Sequence, residues 1–109
     1  MNWKIHYTGE ARQDLRDILD YISNQLHEPA TAVRLVRQIT DEINGLNVMP
    51  ERYHIYDEDP WRNSRLRSFA VKNYLVFYLP DERSHTVYVV RIFYGGRDVK
   101  QQLNGSTNL

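Results

Sequence analysis

Three side chains in this sequence stand where they could transfer a proton. His54 lies in a polar loop, His85 lies in a predicted hairpin loop, and Tyr94 ends an apolar segment beside Gly95. A positioned histidine or tyrosine can act as a general acid or base, although a single loop histidine is more often structural. The sequence contains no HExxH motif, no glycine-rich phosphate loop and no histidine–carboxylate cluster. It therefore indicates neither a metal ion nor an organic cofactor.

Basic residues concentrate in the second half of the chain. Residues 61–109 carry eight basic and three acidic side chains, a balance of +5, whereas residues 1–60 carry six basic and eleven acidic ones, a balance of −5. This asymmetry indicates two surfaces, of which the basic one suits an anionic partner. The alternative is ordinary solvated charge and salt bridging, for example between Arg97 and Asp98. The candidate residues for binding such a partner are Trp61, Arg65, Arg67, Lys72, Arg91 and Arg97.

Length and composition limit the class of protein. A chain of 109 residues, 41% hydrophobic and 26% charged, is typical of one globular domain. The absence of cysteine excludes disulfides and favours a reducing cytoplasm. The N-terminus lacks the apolar region of a signal peptide, and no apolar run approaches the ~20 residues of a membrane span. We therefore expect a cytoplasmic protein with a domain over residues 1–103 and a flexible tail over residues 104–109.

Apolar periodicity predicts one strand followed by two helices. Residues 3–7 alternate as in a half-buried strand, and Thr8 offers a helix N-cap. An apolar stripe with helical spacing continues to Leu26, and a second begins after Pro29, which suits a first helical turn. The short break between the stripes predicts an antiparallel helical hairpin. Residues 49–64 are rich in turn formers and charge, and long loops of this kind are often functional.

Three strands are predicted next, over residues 66–71, 74–79 and 86–94. Lys72-Asn73 forms a tight turn between the first two, and residues 80–85 form a hairpin loop between the last two. A short helix is possible over residues 97–103. The order β-α-α-β-β-β predicts an α+β fold in which the helical hairpin packs on one face of a small antiparallel sheet. The opposite face is expected to be free, so that basic residues of the later strands can line it.

Two strand motifs resemble those of the RelE/ParE toxin superfamily, and more closely those of its ParE-like branch. Residues 66–78, LRSFAVKNYLVFY, are similar to a ParE-type strand pair, and residues 89–98, VVRIFYGGRD, are similar to the end of its last strand. The helical hairpin matches in order and size, so the resemblance covers about residues 3–100. It implies the toxin component of a type II toxin–antitoxin system, held inactive by a cognate antitoxin.

The resemblance leaves two activities open. RelE-type members cleave mRNA in the ribosome, whereas characterised ParE-type members inhibit DNA gyrase without being enzymes. In the RelE-type alternative the catalytic residues would be Arg97 and Arg67, with His54 or Tyr94 as acid or base. Metal-free RNA cleavage needs such groups to move protons and to stabilise the charge of the phosphorane.

The sequence departs from the RelE pattern at two positions. Leu75 stands where RelE-type sequences have an arginine after the tyrosine of the third strand. Their C-terminal tyrosine would fall near Leu103, where this chain has no tyrosine. Binding to RNA depends largely on phosphate contacts and favours a positive net charge, whereas this chain has a formal net charge of zero. We therefore expect gyrase inhibition. The alternatives are a RelE-type mRNA endoribonuclease, which would bind the ribosome and mRNA, and a degenerate toxin that only binds antitoxin. The antitoxin is expected to cover the hairpin or the free sheet face with a helix or a strand.

Overall fold

The computed structural model describes residues 2–96 and 98–105. The first part of the chain contains one strand and the helical hairpin: β1 (Lys4–Tyr7), α1 (Gly9–Asp20), a π-helical turn (Tyr21–Gln25) and α2 (Pro29–Asn44). The second part contains three strands and a short helix: β2 (Arg67–Val71), β3 (Tyr74–Asp81), β4 (Thr86–Tyr94) and α3 (Val99–Asn104). The predicted α+β class and β-α-α-β-β-β order are confirmed. The predicted flexible tail falls partly on residues 106–109, which lie outside the described residues.

The helical hairpin begins at a capped helix end. The Thr8 hydroxyl accepts a hydrogen bond from the Ala11 amide at 3.2 Å and donates one to the Val90 carbonyl at 3.1 Å. It thereby satisfies one of the free N–H groups of the first turn and also ties this end of α1 to β4. At the other end, Pro29 occupies the first turn of α2, where its missing N–H breaks no helical bond.

The four strands form one mixed sheet in the order β1-β4-β3-β2. The neighbours β2, β3 and β4 are antiparallel, as predicted, but β1 runs parallel to β4. Parallel neighbours need a long crossover connection, and the whole helical hairpin and two strands lie between β1 and β4. The expectation of a purely antiparallel sheet therefore fails for β1 alone.

Strand β3 is longer than predicted because the proline inside it lies at an open edge. Pro80 pairs with Val87 of β4, but β2 begins opposite Tyr78, so no strand lies on the other side of Pro80. A proline is tolerated there because no ladder hydrogen bond is lost. The connection is therefore shorter than predicted and comprises residues 82–85. The carboxylate of Asp81, at the end of β3, accepts hydrogen bonds from the Arg83 amide and the Ser84 hydroxyl.

The helical hairpin and one face of the sheet enclose the larger core. The apolar stripes predicted from the sequence supply it, and several of its side chains are completely buried. Such residues exclude most apolar surface from water and give the greatest stabilisation per side chain. The central members are Ile18, Ile39, Ile43, Val76, Tyr78, Val89 and Ile92.

The opposite sheet face is covered, and the expectation that it is free was wrong. A second core there contains Leu66, Phe77, Val90, Phe93 and Leu103. Its cover is formed by α3 together with aromatic residues of the long loop, of which Tyr56 meets Phe77 edge-on at 5.3 Å. Successive strand side chains point to opposite faces, so β3 and β4 had to present apolar groups on both faces. That double-sided pattern needs a cover on each side.

Candidate functional site

The predicted site residues fall in two places on the sheet. Val71 of β2 pairs with Tyr74 of β3, which pairs with Tyr94 of β4, whereas Arg67 lies four residues earlier on β2. At ~3.3 Å per residue and ~4.8 Å between strands, the Cα atoms of Arg67 and Tyr94 are roughly 16 Å apart. Arg97, the remaining catalytic candidate, lies outside the described residues.

Arg67 holds the long loop against β2. Its Nη1 donates to the Tyr53 carbonyl at 2.6 Å and to the Glu51 carbonyl at 3.2 Å, and its Nη2 lies 3.9 Å from the Glu51 carboxylate. The side chain is only 12% exposed. Tyr53 also stacks on Phe69 at 4.4 Å, so both contacts fasten the same loop segment. The guanidinium is directed at protein carbonyls.

The other candidates near this end of β2 belong to the loop. His54 and Arg65 are exposed, and Arg65 has a positive φ of 64°. The His54 carbonyl accepts a bond from the Ser68 amide at 3.2 Å, so its backbone extends the sheet edge. Trp61 packs against the second core, and its indole Nε1 donates to the Asn104 Oδ1 at 2.8 Å. Trp61 therefore joins the loop to α3.

The third proton-transfer candidate, His85, packs against Trp3. The two rings are stacked with centroids 4.2 Å apart. The imidazole Nε2 is buried and has no hydrogen-bond partner within residues 2–96 and 98–105. Since it is shielded from solvent, this position suits packing better than proton exchange with a substrate.

Arg91 and Asp14 form a buried polar contact that joins α1, β4 and α3. Arg91 Nε and Nη2 donate to the two Asp14 oxygens at 2.8 and 3.1 Å, and Nη1 donates to the Gln102 carbonyl at 3.1 Å. The hydrogen bond with Asp14 raises the pKa of Arg91, although burial opposes the shift. Asp14 also accepts the Ile92 amide at 2.8 Å, which closes the edge of β4 beyond the end of β1.

Ion pairs connect the acidic first half of the chain to the basic second half. All five that occur among the described residues do so: Arg62 with Asp57 and with Asp59, Arg67 with Glu51, Arg91 with Asp14, and Lys100 with Glu58. Folding therefore places much of the opposite charge side by side. For these residues the salt-bridge alternative holds.

Tyr94 lies in a shallow groove at the end of the sheet next to the tip of the helical hairpin. We call this surface the tyrosine groove and define it by Tyr21, Leu26, Tyr74 and Tyr94. Tyr94 is 48% exposed, Tyr21 55% and Leu26 52%. Tyr94 meets Tyr74 edge-on at 5.8 Å. Two adjoining depressions of about 550 and 620 Å³ share Leu26, Tyr74 and Tyr94, so the surface is concave.

Charged side chains line the two walls of the tyrosine groove. Asp17 lies on the α1 wall beside Asp14, which is paired with Arg91, while Lys72 lies at the β2–β3 turn. Glu28 and Arg34 line the α2 wall. Burial, together with the neighbouring Tyr21 and Tyr94, raises the pKa of Tyr74. The groove therefore presents phenol groups and charges of both signs at neutral pH.

Gly95 and Gly96 determine how Tyr94 lies. A Cβ at Gly96 would overlap the Tyr94 ring, and one at Gly95 would come within 3.0 Å of Leu75 Cγ. The double glycine therefore lets the aromatic ring fold back over the chain. The sequence identified Tyr94 and Lys72 but missed Asp14, Tyr21 and Leu26. Leu26 continues the helical spacing of the core residues before it. The local sequence does not show that its position lies beyond the sheet.

Two other kinds of site are not found in the described part of the chain. Within residues 2–96 and 98–105, no group of three or more histidine, aspartate or glutamate side chains could hold a metal ion. None of the helices described is both long and apolar enough to cross a membrane.

Comparison with known proteins identifies the family. The family described as ParE toxin of type II toxin-antitoxin system, parDE, matches residues 5–99. No curated protein sequence matches the chain. Among solved structures, the chromosomal ParDE system from P. aeruginosa gives a TM-score of 0.68 at 17% identity, covering 84% of this chain and 95% of that one.

Two RelE-type structures have the same fold. The RelBE2 toxin-antitoxin complex from Mycobacterium tuberculosis gives a TM-score of 0.65 at 19% identity, covering 86% of this chain and 92% of that one. A free E. coli RelE carrying two arginine-to-alanine substitutions gives 0.65 at 9% identity, covering 97% and 94%. Identities this low show the fold alone, whereas the family match covers most of the chain. The resemblance seen in the sequence is confirmed: the chain belongs to the ParE toxin family and is a toxin of a type II toxin–antitoxin system.

Proposed function

We propose that this toxin acts in the bacterial cytoplasm by binding and inhibiting DNA gyrase, without catalysing a reaction itself, until its antitoxin neutralises it. The observation that carries the proposal is the separation of Arg67 from Tyr94, one of the two acid or base candidates of the RNase alternative. From the register of the sheet, the Cα atoms of Arg67 and Tyr94 are roughly 16 Å apart. A general acid, a general base and a phosphate-binding cation must all reach one scissile phosphate, within hydrogen-bond distance.

The contacts of the individual candidates support the same proposal. The Arg67 guanidinium donates through Nη1 to the carbonyls of Glu51 and Tyr53 and is only 12% exposed, so a phosphate has little access to it. His54 lies beside β2, near Arg67 and away from Tyr94, so it could act together with Arg67 only if that guanidinium left the loop carbonyls. A site that bound RNA through these side chains would first have to release the long loop.

Charge pairing is a second argument for a protein target. Affinity for nucleic acid depends largely on unpaired lysine and arginine that replace counterions at phosphates. Of the basic residues in the second half, Arg62, Arg67, Arg91 and Lys100 lie against carboxylates. Lys72, Arg65 and Arg83 are exposed. Such a surface offers weak attraction for an RNA backbone.

The proposal can be tested with two purified reactions run side by side. In the first, gyrase supercoils relaxed plasmid in the presence of the toxin, and we expect inhibition. In the second, ribosomes translate an mRNA whose cleavage is followed by primer extension, and we expect no cuts. Arg97→Ala serves as the diagnostic variant, and Arg83→Ala in the β3–β4 loop serves as its matched control. Cuts that appear with the parent chain and Arg83→Ala but vanish with Arg97→Ala would establish the endoribonuclease alternative.

A further inference from the structure

We propose that Asn104 is a site of spontaneous covalent modification, at which deamidation breaks the contact between α3 and the long loop. The chain contains two Asn-Gly dipeptides, Asn44-Gly45 and Asn104-Gly105, and each lies at the C-terminal end of a helix. This dipeptide deamidates readily because glycine has no side chain to shield its backbone nitrogen. The surroundings of the two dipeptides differ, so that only the second reacts in the folded protein. The inference goes beyond the proposed function and does not depend on the toxin's target.

The reaction needs water and no other reagent. The Gly105 nitrogen loses its proton and attacks the side-chain carbonyl carbon of Asn104; a ring C–N bond forms, the bond to the side-chain nitrogen breaks and ammonia leaves. Water then opens the resulting succinimide at either carbonyl. One product is aspartate, and the other is isoaspartate, in which the main chain runs through the former side chain. The nitrogen can attack only after its N–H leaves its helical hydrogen bond.

Asn44-Gly45 is held on both sides by the larger core. Ile43 and Leu46 are completely buried, and the Gly45 amide donates to a carbonyl of the preceding helical turn. Arg52 Nη2 donates to the Gly45 carbonyl at 2.7 Å, which fastens the next turn as well. Rearranging the backbone here exposes a buried side chain, which lowers the population of the open form by more than about tenfold. Deamidation at Asn44 is therefore slow.

Asn104-Gly105 can open without disturbing either core. Both residues are exposed, and the buried residue of α3 is Leu103, which precedes them. The Gly105 amide donates to the Gln101 carbonyl at 3.1 Å, and Trp61 Nε1 donates to Asn104 Oδ1 at 2.8 Å. Because α3 has only six residues, its helical bonds are marginally stable, and its last turn opens more often than the end of α2.

Formation of isoaspartate at Asn104 disconnects α3 from the long loop. It lengthens the main chain, so that the Gly105 amide no longer reaches the Gln101 carbonyl, and it removes the amide oxygen that accepts from Trp61. The new carboxylate also lies at the C-terminal end of a helix, where the helix dipole disfavours an anion. Since Trp61 and Leu103 belong to the second core, this change should lower the stability of the protein. Aspartate keeps an acceptor for the indole and should have a smaller effect.

The experiment follows both dipeptides in one sample. The full chain is incubated at mildly alkaline pH, and trypsin then releases residues 38–52 and 101–109. Mass spectrometry with fragmentation measures the fraction of acid at Asn44 and at Asn104. We expect Asn104 to react at least about tenfold faster than Asn44 in buffer, and the two rates to converge in urea, where both helices are unfolded. The isolated isoaspartate form should unfold at a lower urea concentration than Asn104→Asp.

Two variants test the cause of the difference. Gly105→Ala shields the attacking nitrogen and should abolish most of the reaction at Asn104; its Cβ comes no closer than 3.4 Å to the Gln102 carbonyl oxygen, so the fold accommodates it. Arg52→Ala releases the Gly45 carbonyl and should accelerate Asn44 without changing Asn104. Arg83→Ala, an exposed arginine of the β3–β4 loop, is the matched control and should change neither rate.

Three results would overturn the proposal. Equal rates at the two dipeptides in buffer, or a difference that persists in urea, would mean that tertiary contacts do not select the site. An unchanged rate in Gly105→Ala would exclude the succinimide route. An isoaspartate form with the same urea midpoint as the unmodified chain would show that Asn104 does not fasten α3 to the loop.

Discussion

Removal of the largely buried Asp14 carboxylate should destabilise the protein more than removal of an exposed carboxylate. The perturbation is Asp14→Ala, which leaves Arg91 without its bidentate partner and the Ile92 amide without its acceptor. Both side chains are largely buried, with 16% of Arg91 and 11% of Asp14 exposed. Removing one partner of a buried ion pair costs ~3–5 kcal/mol. Because some exposure remains, we expect about 3 kcal/mol from Arg91.

The total should exceed that value slightly. The Ile92 amide loses its acceptor at the edge of β4, which adds about 1 kcal/mol unless water replaces it. We therefore expect a loss of ~3–4 kcal/mol out of the ~5–15 kcal/mol that a domain of this size possesses. Urea denaturation followed by circular dichroism measures the free energy of unfolding directly.

The control and the coupling make the prediction specific. Asp17→Ala removes an exposed carboxylate from the same helix, whose hydrogen bond is to Gln13, and should cost no more than ~0.5 kcal/mol. Combining Asp14→Ala with Arg91→Met should be less destabilising than the sum of the two single changes, because Arg91→Met removes the guanidinium whose carboxylate partner the first change has deleted. A loss below about 1 kcal/mol for Asp14→Ala, or additive single changes, would refute this account of the contact.

Three further predictions concern the cores and the groove. Burial raises the pKa of Tyr78 to about 12, so the unfolded chain ionises first above pH 10 and stability is lost between pH 10 and 12. The shift corresponds to about 3 kcal/mol, and Tyr78→Phe should flatten this decline in pH-dependent urea titrations while costing its bond to the Pro50 carbonyl at neutral pH. Phe77→Ala should cost ~3–5 kcal/mol by the same assay, because the ring is completely buried; a cost under ~1 kcal/mol would mean that the second core is not closed. Gly96→Ala should turn the exposed Tyr94 ring outwards, with a stability change below ~1 kcal/mol in the same titrations because the ring can move; a loss above ~2 kcal/mol would argue against this account.

Much of the fold could be predicted because its signals are local. The spacing of Ile18 and Ile22, or of Ile39 and Ile43, depends only on the helical period, and all four residues are buried in the first core. The turn at Lys72-Asn73 and the boundaries of β4 were also correct. Local patterns do not reveal which distant segment covers a face. That is why the second core, built from Leu66, Phe77 and Leu103, was not foreseen.

The candidate site was predictable only in part. Lys72 was predicted as a binding residue and Tyr94 as an acid or base of the RNase alternative, and the structure places both at the tyrosine groove. Arg91 was expected to bind a partner, yet its strongest contacts are with Asp14, 77 positions away along the chain. Arg67 was likewise expected at a site but holds Glu51 and Tyr53 of the loop. A charged residue looks the same in a sequence whether it is paired internally or available to a partner.

The sequence by itself determined the class, the order of elements and the family, because periodicity, turn chemistry and the two strand motifs are properties of neighbouring residues. The tertiary structure alone decided that β1 joins the sheet in parallel and that loop and α3 close the second face. It also decided that Arg67 and Arg91 of the basic half pair with Glu51 and Asp14 of the acidic half. These outcomes depend on contacts between residues far apart in the chain, whose geometry is fixed only when both cores close together.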